Sequence, residues 1–94
     1  MAEEFVQIRH LLREAMRFAR AFKKLPLALQ THAKEQITMF QADCFDERLK
    51  THKLKGQLAP YWAFSVNQFH RILFEFLDNG EAGFIDIGTH SIYQ

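Results

Sequence analysis

Between Tyr61 and Leu77 the chain reads YWAFSVNQFHRILFEFL, two runs in which residue type alternates with a period of two. Successive side chains of a strand point to opposite faces. Trp62, Phe64 and Val66 therefore share one face against Tyr61, Ala63, Ser65 and Asn67, and His70, Ile72, Phe74 and Phe76 oppose Arg71, Leu73, Glu75 and Leu77. The Asp78, Asn79, Gly80 sequence that follows is a turn signal, and AGFIDIG after it supplies a third strand. An antiparallel meander results, and its aromatic face needs a covering layer.

The first half of the chain provides that layer. From Glu14 to Lys24, Ala15, Phe18, Ala19 and Phe22 recur at helical spacing, while Arg17, Arg20, Lys23 and Lys24 occupy the other side. Pro26 ends this helix, because the residue before a proline is driven out of helical backbone geometry. A second helix is expected from Leu27 to about Gln41, with Leu29, Ala33, Ile37 and Phe40 on its buried stripe. The polar segment 46–61 lacks a sustained period and reads as a connection, with a short strand or turn near Leu54. At the start, Phe5, Ile8, Leu11 and Leu12 fit a helix, yet FVQIRHLL also fits a strand beside the meander; propensity favours the helix.

With 94 residues, 48% of them hydrophobic and ten of them Phe, the chain can build one core and one domain, spanning residues 1–94. Twelve basic residues against 11 acidic ones leave a formal charge of +1, so any polyanion site must be a local cluster. The single cysteine, Cys44, excludes a disulfide framework or a thiolate metal centre within one chain. The N-terminal stretch is broken by charges and no apolar run reaches transmembrane length, so a cytoplasmic protein without a membrane partner is expected.

The ordered blocks RFARAFKKLP, FDERLKTHKLKG, YWAFSVNQFHRILFEF and FIDIGTHSIY resemble the RelE/ParE superfamily of toxins from type II toxin–antitoxin systems, over about Ile8 to Tyr93. The resemblance implies an α+β fold, with two N-terminal helices packed on one face of a small twisted, mostly antiparallel sheet. It also makes Val6 to Leu12 a sheet strand, against the propensity reading. RelE-like members cut messenger RNA at the ribosome without a cofactor or metal, and a cognate antitoxin restrains them. ParE-like members inhibit DNA gyrase by binding. A third alternative is a toxin-fold protein that retains antitoxin binding alone.

On the ribonuclease reading, the resemblance implies His90 as general acid, Arg71 against the scissile phosphate and His52 on the base side. Lys53, Lys55 and Tyr93 are the implied RNA contacts. Imidazole titrates near neutrality and can donate a proton without a metal, and a guanidinium grips two phosphate oxygens at once. Lysines bind the RNA backbone, and an aromatic side chain can stack on a base. Each residue has a plainer alternative: His90 as a turn residue, Arg71 in an ion pair with Glu75 or Asp86, the 52–55 run as a solvated charge cluster and Tyr93 as packing for the tail. Trp62 and Phe64 are expected to face the helices, leaving Ala63, Ser65 and Asn67 to floor a groove on the opposite face. The chain departs from the archetypal RelE pattern, which has lysines where Trp62 and Phe64 stand and a basic C-terminal run missing here. In one histidine-using relative a histidine replaces Ser65.

Overall fold

The structure is a computed structural model that describes residues 7–8 and 12–93. Strand β1 (Gln7–Ile8) is followed by helices α1 (Leu12–Lys23) and α2 (Leu27–Ala42). Strands β2 (His52–Lys53), β3 (Trp62–Ser65), β4 (Arg71–Phe76) and β5 (Glu81–Gly88) complete the chain, which ends in a 3₁₀ turn at His90–Tyr93. The five strands form one sheet in the order β1-β5-β4-β3-β2. All neighbours are antiparallel except β1 and β5, which run parallel with Gln7 opposite Glu81 and Ile8 opposite Ala82.

The expected α+β architecture is present, with both helices on one sheet face. Pro26 sits at the N-cap of α2 in extended geometry, and its carbonyl accepts from the N–H groups of Leu29 and Gln30. The Gln30 side chain turns back to donate to the Leu25 carbonyl at 2.9 Å, fixing the angle between the two helices. On α1 the buried stripe is Phe18, Ala21, Phe22 and then Leu25, whereas Ala19, expected on that stripe, is exposed. The first element is a strand, carried among the described residues by Gln7 and Ile8; Val6 and residues 9–11 lie outside the described residues, and α1 already begins at Leu12.

Four rings from four elements form the centre of the core. Phe40 of α2 stacks on Phe64 of β3 at 4.5 Å and meets the edges of Phe74 and Phe84 at 4.9 and 5.7 Å. All four are essentially inaccessible to water. Phe18 of α1 joins them through Phe84 at 5.4 Å. Offset and edge-to-face contacts of this kind add to the burial of apolar area. Cys44 is half-buried at the margin of this core, where burial and the neighbouring Asp43 push its thiol up. Among the described residues no helix is long and apolar enough to cross a membrane.

The other sheet face carries a second, smaller cluster of Leu54, Ala63, Leu73, Ile85 and Ile92, with Leu58 and Tyr61 against it. A shift in register between Leu73 and Phe74 lets both faces of β5 be apolar: Leu73 opposes Asp86, but Phe74 opposes Phe84. Ile85 is the extra residue and points into the smaller cluster, while Phe84 and Ile87 serve the main one.

Replacing Phe40 by Ala removes the ring common to these contacts and is expected to cost about 3–5 kcal/mol in urea unfolding. Leu27→Ala, at a position 79% exposed, is the matched control, with a change within about 0.5 kcal/mol.

Candidate functional site

The end of β5 shows what the GTHSIY sequence does. A Cβ on Gly88 would lie 2.6 Å from Cγ2 of Ile92, so only glycine lets the chain fold back this tightly. The Ile92 N–H donates to the Thr89 carbonyl at 3.0 Å, and its side chain is anchored in the smaller apolar cluster. Thr89 and His90, between these two fixed points, are exposed. Ile92 therefore packs the tail, the role weighed above for Tyr93, whose side chain lies outside the described residues.

Arg71 opens β4 directly opposite Gly88, so Arg71 and His90 share one corner of the sheet. The Arg71 Nη1 donates to the carbonyls of Asn67 and His70 at 3.0 and 3.2 Å, bracing the β3–β4 turn. The ion pair considered from sequence does not form. Asp86 instead accepts from Nη2 of Arg17 on α1 at 3.0 Å, so among the described residues no carboxylate neutralises Arg71. The turn itself is held by Asn67, whose Oδ1 accepts from the N–H groups of Phe69 and His70 at 2.9 and 2.7 Å. That oxygen is also 3.2 Å from Nδ1 of His70, which must act as the donor and leaves Nε2 as the ring's remaining polar atom.

His52, Lys53 and Lys55 lie elsewhere, on the β2 edge and the loop beyond it, and all three are exposed. His52 pairs with Ala63, and Arg71 with Ser65. Two strand spacings across and two residues along separate the Cα atoms of His52 and Arg71 by roughly 12 Å. The pairing thus sets Arg71 opposite Gly88, two residues before His90, with His52 two strands away. The His52 Nδ1 donates to the Lys50 carbonyl at 2.9 Å, which orients the ring with Nε2 outward. The preceding loop is fixed by Asp46, which accepts from the backbone and guanidinium of Arg48; these bonds hold its carboxyl at about 2.

Among the described residues, Ala63 and Ser65 do not floor the groove expected over Ala63, Ser65 and Asn67. Ala63 is fully covered by the smaller cluster and Ser65 is 8% exposed, because the 54–61 segment and the C-terminal turn both fold over that face. A basic groove of about 470 Å³ lies instead between α1 and the end of β5, where Arg17, Arg20 and Lys24 face His70, Asp86 and Thr89. Sequence reading identified the basic side of α1 but had no signal for what stands opposite it. Among the described residues, no three His, Cys, Asp or Glu side chains converge as a metal ligand set would.

No family profile matches the chain, and no curated protein matches it significantly. Solved structures do. A YoeB/ParE toxin from Agrobacterium tumefaciens superposes with a TM-score of 0.70 at 17% identity, covering 90% of this chain and 99% of that one. The E. coli DinJ-YafQ toxin-antitoxin complex contains a chain matching at 0.64 and 18% identity, with 93% and 94% covered. The Mycobacterium tuberculosis toxin-antitoxin complex RelBE2 contains another at 0.61 and 15%, with 92% and 99% covered. The fold is that of the RelE/ParE toxins.

Within this RelE/ParE fold, the chain has packed apolar clusters on both sheet faces, with the candidate residues at one sheet corner, the β2 edge and the α1 groove. Gly88→Ala is expected to dislodge the C-terminal turn at about 1–3 kcal/mol, seen as faster proteolysis of the tail in an otherwise folded protein. A carboxyl titration followed by NMR should place Asp46 at about 2. Its contribution to the loop is complete above the ordinary value of 3.8 and is lost as the pH falls through about 2. Arg48→Ala should return the midpoint toward 3.8.

Proposed function

We propose that the protein is the toxin of a type II toxin–antitoxin pair and acts as a metal-independent endoribonuclease on messenger RNA engaged with the ribosome. One observation carries this reading. Register sets Arg71 opposite Gly88, two residues before an exposed His90, and no described carboxylate neutralises the guanidinium.

The chemistry follows from those groups. The RNA's own 2′-oxygen bonds to the adjacent phosphorus as the bond from phosphorus to the 5′-oxygen breaks, giving a 2′,3′-cyclic phosphate and a 5′-hydroxyl. Arg71 has N–H groups beyond the one bonded to the turn carbonyls, and they would face the negative charge that gathers on the phosphorane oxygens. His90, as imidazolium, would donate its proton to the departing 5′-oxygen. The 2′-hydroxyl loses its proton on the base side. His52 has the outward Nε2 for that role, but the strand spacing requires relay through water. Lys53, Lys55 and Tyr93 would hold the adjoining nucleotides.

The relatives described as toxin-antitoxin complexes support a second component of this reading: a small antitoxin that binds and silences this chain. Co-expression with a neighbouring small open reading frame should yield a stable co-purifying complex and restore growth.

Purified protein incubated with ribosomes loaded with a labelled messenger should release a fragment ending in a cyclic phosphate, and a 2′-deoxy sugar at the cut should block it. His90→Ala and Arg71→Ala are each expected to lower the rate by about 10²-fold or more. Full cleavage by both variants would remove the assignment of these residues.

A further inference from the structure

The groove between α1 and the end of β5 has no role in the chemistry above. Its cations come from the last turns of α1 and the turn that follows: Arg17 and Arg20 are three residues apart on the helix, and Lys24 comes one residue past its end. Arg17 is partly neutralised by Asp86, whose side chain is only 14% exposed. Arg20 and Lys24 are exposed, and among the described residues neither meets a carboxylate. Arg20 lies in the last turn of α1 and Lys24 just past its end, so about one helical turn, roughly 6 Å, lies between them, a spacing of the order of that between successive phosphates in an extended strand. Across the groove stand His70, Gly88 and Thr89. The next residue is His90, so the groove leads directly to the corner assigned to the reaction.

Overall charge cannot draw RNA to a chain with a net +1. A local track of cations can, because each neutralised phosphate releases condensed counterions. We propose that this groove binds the sugar-phosphate backbone of single-stranded RNA on one side of the cut, with Arg20 and Lys24 on consecutive phosphates. Arg17 is the inner wall, held in place by Asp86. This rests on the ribonuclease reading and adds to it a substrate track absent from the RNA contacts assigned at the β2 edge.

The test is fluorescence anisotropy of a labelled oligouridylate with the full-length His90→Ala protein, alone and combined with Arg20→Gln and Lys24→Gln, over a series of salt concentrations. Both substituted positions are exposed, and thermal melting checks that the fold is retained. The double substitution is expected to weaken binding about tenfold at moderate salt and to reduce the slope of log affinity against log salt by about 1.4. Unchanged affinity and slope would overturn the groove assignment while leaving the cleavage reading intact. No RNA binding by either protein would overturn both. Loss of antitoxin affinity with RNA affinity unchanged would overturn the proposal in favour of an acidic protein segment as occupant.

Discussion

The ring of Phe40 holds the fold together. It is the one contribution of α2 to a set of four buried rings whose other members come from β3, β4 and β5, so it ties α2 to three strands at once. Phe18 attaches α1 to the same set through Phe84. With α1 fixed by its apolar stripe, its opposite side is committed to solvent, and the basic residues there are carried to the edge of β5. The Arg17–Asp86 ion pair then clips that side of the helix to the sheet. A partly exposed pair of this kind contributes little stability, but it fixes where the basic groove lies.

The second constraint is that this sheet buries both faces. Leu54, Leu73, Ile85 and Ile92 occupy the side opposite the helices, so that face is not an open platform for a nucleic acid. Polar side chains that could meet a substrate are displaced to the rim. Gly88 and Ile92 turn the chain sharply at this point, and the turn carries an exposed His90 two residues beyond the partner of the first residue of β4. The same tail is thus both structural closure and the support of the proposed catalytic group.

Much of this was legible in the sequence because it is local. Period-two alternation in 61–77 assigned Trp62 and Phe64 to the helix side and put Ile72 and Phe74 on one face of their strand, and Pro26 with the Leu29, Ala33, Ile37 and Phe40 spacing located α2. The errors arose where geometry is non-local or where a period breaks. Ala19 looked buried because it follows Phe18, but the contact stripe runs through Ala21 and Phe22 instead. The β5 register shift has no signature in AGFIDIG, yet it sends Ile85 to one face and Asp86 to Arg17 rather than to Arg71. Likewise β1 exists through parallel pairing with residues more than seventy positions away, which no local pattern reports. The candidate site follows the same division: His90 and Arg71 were nameable from their motifs, while the α1 groove and the separation of His52 depend on how distant elements meet.

The most direct measurement is a primer-extension map of transcript 5′ ends in a bacterium lacking the antitoxin, after brief induction of the wild-type chain and of His90→Ala. New ends with the wild type that fade with the variant are what the proposed chemistry at the β5 corner predicts. Growth arrest without new ends, unchanged by the substitution, would contradict it, leave His90 as part of a structural turn and point to inhibition by binding, as in the gyrase-directed ParE toxins.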